Sequence, residues 1–169
     1  MNIATHNFTR KTYKATIKTR GIYIYGGITK DGVSGNLMAI TSKDNTHTYK
    51  QIVTLGQEPI ARYKHSMSYC DSLNVLVVYG GQNEAMVKLG HSSPLLNDIC
   101  ILAIDTMTWS KVILGDSILS YRARHSMDVI GTRLYIFGGA QRLTDDANTA
   151  LIINLKKIIT QFTTESFTN

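Results

Sequence analysis

The sequence predicts an all-β protein, a partial β-propeller of about three four-stranded antiparallel blades. Gly-Gly pairs recur at nearly even intervals, at Gly26-Gly27, Gly80-Gly81 and Gly138-Gly139. Each pair follows a short run of β-formers, at positions 22–25, 75–79 and 134–137. A regular period of this kind is typical of a solenoid or a propeller.

A second set of landmarks repeats together with the glycines. The segment Arg62-x-x-His65-Ser66 recurs one period later as Arg122-x-x-His125-Ser126. The aromatic residues Tyr49 and Trp109 stand at the same distance before the following histidine. Four landmarks in the same order twice indicate a repeated structural unit.

The best-formed copy predicts four strands in order. These strands cover positions 65–70, 75–79, 98–104 and 109–114. Turns at 71–74 and 105–107 are rich in Asp, Asn, Ser and Thr, and a long loop covers 82–96. The outer copies are less regular. In the first copy, Arg10 stands as far before Gly26 as Arg122 stands before Gly138, but Tyr13 occupies the position of the histidine. In the last copy, Phe162 is the candidate for the aromatic residue of the fourth strand.

This combination resembles the kelch motif, in which β-formers end in Gly-Gly, often after Arg-x-x-His-Ser, and an aromatic stands in the fourth strand. The resemblance covers about positions 10–163 of a single kelch-repeat region, 1–169, with blades near 10–55, 60–115 and 120–163. It implies a kelch-type propeller that acts by binding other proteins.

Each landmark residue has an expected structural task. At each Gly-Gly pair the chain turns sharply out of the second strand of the blade, and this turn needs a positive φ. A single blade cannot bury both faces, so neighbouring blades stack. Tyr49 and Trp109 are expected to fill the gaps between blades.

The number of blades is smaller than a closed ring needs. Propellers close with about four to eight blades, and this sequence supplies three. Open blades would expose apolar surface and strand edges. Three explanations stay open: the chain is part of a longer propeller, two copies form a six-bladed ring, or other chains supply the missing blades.

Composition limits the classes of function. Hydrophobic residues make up 43% and charged residues 18% of the 169 residues, which is typical of a globular protein. The segment 1–11 has no apolar core of a secretory signal, and no apolar run approaches a membrane span. The net charge of +6 is scattered, which favours acidic partners over nucleic acid. Cys70 and Cys100 are expected as buried, reduced thiols.

The repeated basic residues are the first candidates for a binding site. His65 and His125 recur at a repeat position, which favours a structural task such as bonding a neighbouring blade over binding a metal. Arg62 and Arg122 are expected to form inter-blade hydrogen bonds, with contact to a partner as the alternative. The kelch resemblance implies that Lys64 and Arg124 line the mouth of the central channel, where arginine holds acidic peptides in some members; blade one has Thr12 there.

The loop 82–96 is the second candidate, because loops on a rigid scaffold often carry function. Met86 and Leu89 are more apolar than a free surface loop requires, and contact with a partner is expected, with contact to the loop's own blade as the alternative.

The predicted function is a non-catalytic protein–protein interaction scaffold inside a larger assembly. No cofactor, metal, membrane or small-molecule substrate is expected. A cytoplasmic location is expected, with a cytoskeletal or ciliary (axonemal) structure as the setting implied by family analogy. The alternative is a metal-dependent propeller enzyme resembling galactose oxidase, although the sequence has no closely spaced pair of histidines.

Overall fold

The computed structural model describes residues 2–12, 15–112, 119–141 and 149–159. The strands, in chain order, are β1 (Asn2–Thr12), β2 (Ala15–Tyr25), β3 (Ile28–Thr29), β4 (Gly32–Val33), β5 (Leu37–Lys43), β6 (Thr46–Gln51), β7 (Leu55–Gly56), β8 (Ser66–Cys70), β9 (Val75–Tyr79), β10 (Ile99–Ala103), β11 (Thr108–Val112), β12 (Ser126–Ile130), β13 (Arg133–Phe137) and β14 (Ala150–Asn154). A short helix, α1, covers Ala85–Lys88.

Blade one is an antiparallel sheet in the order β1-β2-β5-β6. Its first hairpin is long, since β1 pairs with β2 from Asn2 opposite Tyr25 to Thr12 opposite Ala15. The alignment of Arg10 with the repeated arginines is therefore wrong. Arg10 lies inside β1, opposite Ile17, whereas Arg62 precedes the first strand of its blade.

Blade two confirms the four predicted strands and adds a fifth. Strands β8 to β11 form an antiparallel meander that covers the expected segments to within a few residues. The short strand β7 pairs in parallel with β11, so Leu55 belongs to this sheet and not to the end of blade one. The predicted loop 82–96 contains the helix α1.

Blade three contains three described strands, in the order β12-β13-β14. After β14 the chain is helical at 155–159. The expected fourth strand around Phe162 lies outside the described residues.

The sheets stand side by side like the blades of a propeller. The first strand of blade two, β8, lies against both β1 and β12, so the first strands converge on the inner side. One apolar cluster joins blades one and two, and it includes Tyr23, Tyr25, Leu76, Leu102 and Trp109. A second cluster joins blades two and three, and it includes Val77, Tyr79, Ile101, Leu134 and Ile136. Cys70 and Cys100 are free and buried, as predicted.

The two repeated aromatics have different surroundings. Trp109 is 2% exposed and lies 5.6 Å, centroid to centroid, from the ring of Tyr25 in the preceding blade. Tyr49 is 65% exposed, so the expectation that it fills an inter-blade gap is wrong within this chain. The physical reason is the direction of stacking: the aromatic of the last strand contacts the preceding blade, and no described blade stands before blade one.

Candidate protein-interaction site

The blades are joined by the Gly-Gly pairs and the turns that carry Arg-x-x-His. The amides of Gly27 and Gly81 each donate a hydrogen bond of 2.8 Å to the carbonyl of the arginine in the next blade, Arg62 or Arg122. A Cβ built on Gly80 would lie 2.3 Å from the carbonyl oxygen of Arg122. This close approach requires glycine, and the φ of 62° favours it as well.

The two histidines pack into the same joints. His65 lies edge-on to Tyr25 of the preceding blade at 5.5 Å, and His125 lies edge-on to Tyr79 at 5.0 Å. Their ring nitrogens form no hydrogen bond with the described residues. The nearby backbones of Tyr25 and Tyr79 raise the pKa values of the two histidines slightly. The two histidines therefore join neighbouring blades, as expected, mainly through edge-to-face ring contacts.

Burial keeps both imidazoles neutral at physiological pH. Desolvation, followed by the charge of Arg62, lowers the pKa of His65 from 6.5 to about 3. Desolvation and the charge of Arg122 lower the pKa of His125 to about 4. Among the described residues, no group of three or more His, Cys, Asp or Glu side chains could hold a metal ion.

Arg62 is fully buried inside its own blade. Its guanidinium donates to both carboxylate oxygens of Asp98, at 2.6 and 2.8 Å, and to the carbonyl of Gly80 at 2.9 Å. Burial alone would lower the pKa of Arg62, but the hydrogen bonds and charge of Asp98 raise it above its usual value. Burial alone would raise the pKa of Asp98, but Arg62 lowers it.

Arg122 is buried in the same way in blade three. It donates to the carbonyl of Gly138 at 2.6 Å and to the hydroxyl of Thr149 at 2.9 Å. The expected inter-blade hydrogen bonds of Arg62 and Arg122 are present, but the backbone carbonyls form them, whereas both guanidinium groups bond within their own blades. A guanidinium with no exposed surface also cannot contact a partner directly.

Lys64 and Arg124 are brought together at the inner end of blades two and three. Both adopt the left-handed region, with φ of 56° and 59°, which is uncommon for residues other than glycine. The amide of Arg124 donates to the carbonyl of Lys64 at 2.9 Å, so the two turns are stacked. Arg124 is exposed, and the ammonium of Lys64 lies 4.8 Å from the ring centroid of Tyr63.

The loop 82–96 is fastened to the turn of Lys64. The hydroxyl of Tyr63 donates to the carboxylate of Glu84, and this bond is the main reason why the pKa of Glu84 is lowered. The side-chain amide of Asn83 donates to the carbonyl of Ala61 at 2.7 Å. The loop and the cationic turn are thus held at the same end of blade two.

The two loop residues singled out from the sequence face opposite ways. Met86 is 9% exposed and packs within the protein, whereas Leu89 is 74% exposed. Val87 is also exposed. Val87 points away from Met86 because successive residues of an α-helix are about 100° apart around its axis. Leu89 follows the last residue of α1, so the face that Met86 buries does not extend to it.

Sequence reasoning missed three residues that shape this site. Asp98, Tyr63 and Glu84 have no counterpart of the same type in the other copies of the repeat. The position of Asp98 is held by Thr149 in blade three, since the carbonyls of both accept from the first glycine of the pair at 3.2 Å. A comparison of repeats within one chain therefore contains no signal for the carboxylate.

Three stacked β-blades, joined by hydrogen bonds between the Gly-Gly pairs and the Arg-x-x-His turns, define a β-propeller interaction module. The chain matches the family described as the KLHDC2/KLHL20/DRC7 Kelch-repeats domain over residues 12–166. The chain therefore belongs to the kelch-repeat family.

Several relatives and one solved structure resemble this chain. It is 33% identical over 120 residues to acyl-CoA-binding domain-containing protein 4 of Arabidopsis thaliana, covering 70% of this chain and 16% of that protein. It is 29% identical over 146 residues to host cell factor of Drosophila melanogaster, covering 77% and 9%. It is 28% identical over 119 residues to kelch domain-containing protein 3 of Rattus norvegicus, covering 70% and 28%.

The solved structure supports the fold alone. A chain of the "Cryo-EM structure of RAG in complex with one melted RSS and one unmelted RSS" aligns with a TM-score of 0.63 at 17% identity, over 91% of this chain and half of that chain. The present chain spans less than a third of each of the three relatives named above. Family membership supports a protein-interaction role. In the described residues, no helix has the length and apolar character needed to cross a membrane.

Proposed function

We propose that this chain is a non-catalytic protein-interaction scaffold, which holds an acidic protein segment at the stacked turns of Lys64 and Arg124. The observation that carries this proposal is the 2.9 Å backbone hydrogen bond between the two turns, which places two cationic residues next to each other in neighbouring blades. Two adjacent positive charges favour a carboxylate-rich ligand.

The turns are rigid because each contains a buried arginine whose guanidinium is hydrogen-bonded inside the blade. Arg62 and Arg122 are each anchored by several hydrogen bonds, and each stands two positions before a cationic residue. A preorganised site loses little side-chain and backbone freedom when a partner binds, which favours affinity. Leu89 and Val87 add exposed apolar area at the same end of blade two.

The wider setting of the proposal is a larger assembly. Other chains supply the blades that complete the propeller, and the assembly is cytoplasmic, on a cytoskeletal or ciliary structure. Support comes from kelch-family membership and from the three blades that the chain contributes. Imaging of the tagged chain in its native cells tests the location; a uniformly diffuse signal would contradict the cytoskeletal or ciliary setting.

A displayed library of short random peptides tests the binding site. Peptides rich in Asp and Glu are expected to be selected, and the double substitution Lys64→Glu/Arg124→Glu is expected to weaken their binding at least about tenfold, because each reversed contact costs on the order of 1 kcal/mol. Fluorescence anisotropy with a labelled selected peptide measures this loss.

The matched control is the double substitution Lys43→Glu/Lys50→Glu, which makes the same change of charge at exposed positions of the strands β5 and β6. Equal weakening by both double variants would reduce the effect to net charge and contradict the proposed site. Selection of neutral or basic peptides would contradict it as well.

A further inference from the structure

A carboxylate stands beside the two cationic turns. Glu84 is exposed in the loop 82–96, and its Oε1 accepts hydrogen bonds from the hydroxyl of Tyr63 and, at 2.8 Å, from the side-chain amide of Gln82. The same amide donates to the hydroxyl of Tyr63 at 2.6 Å. The three side chains therefore form a closed triangle of hydrogen bonds, which holds the carboxylate in one position.

The triangle uses only one oxygen of the carboxylate. Both hydrogen bonds reach Oε1, and no side chain among the described residues donates to Oε2 of Glu84. Lys88 stands four positions after Glu84, a spacing at which helical side chains can meet, but the two form no ion pair. Glu84 therefore presents a fixed, exposed negative charge whose second oxygen can accept from a ligand.

The surroundings of Glu84 keep it ionised. The hydrogen bond from Tyr63 is the largest cause that lowers the pKa of Glu84, and the charge of Lys64 acts in the same direction. Burial, followed by the hydrogen bond to Glu84, raises the pKa of Tyr63, so the hydroxyl keeps the proton that it donates. The charge of Arg124 also acts on this hydroxyl, which places both cations near the triangle.

Charges of both signs thus follow one another from blade three to the loop of blade two. Arg124 and Lys64 lie in the two stacked turns. The ring of Tyr63 lies beside the ammonium of Lys64, and its hydroxyl holds Glu84. None of the three charged side chains forms an ion pair with a described residue. The order of the charges along this surface is positive, positive and negative.

We infer that Glu84 determines the specificity of the site, which binds a segment of mixed charge: an acidic side chain lies over Lys64 and Arg124, and a basic side chain donates to Oε2 of Glu84. The inference rests on the proposed function and narrows its ligand. A purely acidic segment is disfavoured, because it would bring a negative charge against a carboxylate that the hydrogen bonds hold in place. A basic residue at this point turns the repulsion into attraction.

Parallel selections test the inference. The displayed peptide library is screened against the unchanged chain and against Glu84→Gln, which removes the charge and keeps an oxygen that can accept from Tyr63. The unchanged chain is expected to select Asp or Glu together with Lys or Arg at a constant spacing, whereas Glu84→Gln is expected to select the acidic residues alone.

The matched control for these selections is Glu58→Gln. Glu58 is also exposed and also accepts from a hydroxyl, that of Thr54 at 2.5 Å, so the substitution makes the same chemical change away from the two turns. This variant is expected to select the same peptides as the unchanged chain. Loss of the basic residue from both sets of peptides would reduce the effect to net charge and overturn the inference.

The affinity of one selected peptide measures the contact with Glu84. Fluorescence anisotropy compares this peptide with a version in which Gln replaces the basic residue. The replacement is expected to weaken binding about two- to fivefold for the unchanged chain and less than about 1.5-fold for Glu84→Gln, as for an exposed ion pair. Equal losses in the two chains would show that Glu84 only fastens the loop, and would overturn the inference.

The inference and the proposed function fail in different ways. Selection of acidic peptides without a basic residue would leave the proposed function standing and overturn the role of Glu84. Selection of peptides without acidic residues would contradict both. Binding of a mixed-charge peptide that Lys64→Glu/Arg124→Glu leaves unchanged would contradict both as well, because the acidic side chain would then lie elsewhere.

Discussion

Asp98 and Thr149 occupy the same position in successive blades, yet they satisfy the buried arginines differently. Asp98 provides a bidentate carboxylate to Arg62, whereas Thr149 offers a hydroxyl and a carbonyl to Arg122. In both blades the arginine lies beneath the turn whose carbonyl accepts from the preceding blade. The stability of each joint therefore depends on a side chain that the repeat pattern does not mark.

Asp98→Asn tests the buried ion pair. We expect a loss of about 3 to 5 kcal/mol in the free energy of unfolding, since the charge of Arg62 would remain buried without a counter-charge. Denaturant unfolding measures the loss. Lys111→Gln is the control, because Lys111 is half-exposed and lies 3.8 Å from Asp98, and it is expected to cost less than about 1 kcal/mol. Equal costs for the two variants would contradict the assignment.

Gly80→Ala tests the close approach between blades two and three. Gly80 and Gly131 have the same φ of 62°, but a Cβ at Gly131 would meet open space, whereas a Cβ at Gly80 would lie 2.3 Å from the carbonyl of Arg122. Gly131→Ala should cost only the left-handed backbone penalty of about 1 to 2 kcal/mol. Gly80→Ala should cost at least about 2 kcal/mol more, since the joint must open. Similar melting temperatures for both variants would refute the joint geometry.

At the scale of the strands, the two strands that carry the repeated aromatic residues, β6 and β11, show how burial depends on the neighbouring blade. The strand β6 that carries Tyr49 is exposed along its whole length, whereas β11 buries Trp109 against blade one. The sequence pattern around the two residues is the same, but blade one has no described blade on its outer side. The burial of the repeated aromatic residue therefore depends on the blade beside it and not on the repeat pattern alone.

Trp109→Ala and Tyr49→Ala compare these two strands. We expect Trp109→Ala to cost about 3 to 5 kcal/mol, because it leaves a cavity between two blades. Tyr49→Ala should change the stability of the isolated chain by no more than about 0.5 kcal/mol, as is usual for an exposed position. Thermal and denaturant unfolding of both variants measure this. A large loss from Tyr49→Ala would show that its ring is covered in solution.

At the scale of the whole molecule, the three blades are held together by two similar joints, each with a buried neutral histidine. His65 and His125 lie at the two interfaces, so any condition that protonates them acts on the association of the blades. The acid sensitivity of the molecule therefore belongs to its interfaces and not to a single blade.

Acidification is expected to destabilise the protein before the carboxylates titrate. The unfolded chain binds a proton at each histidine below about pH 6.5, while the folded pKa values are about 3 and about 4, so the unfolded state gains stability as the pH falls. Each histidine should remove about 2 kcal/mol between pH 7 and pH 5. Denaturant unfolding across this range measures the slope, and His65→Gln and His125→Gln should each flatten it. An unchanged slope in both variants would contradict burial of the neutral rings.

The sequence by itself determined the features that depend on local backbone chemistry. The Gly-Gly turns, the boundaries of β9 and the meander of blade two follow from residue types that are close together in the chain, as do the three-blade count and the kelch family. Only the tertiary structure decided the partner of Arg62, which is distant in the chain, and the exposure of Tyr49, which depends on whether another blade packs against it. The long hairpin of β1 and β2 was decided there too, because register is set by pairing across strands and not by the spacing of landmarks. Contacts between distant segments leave no periodic pattern in a sequence, so these features could be read only from the structure.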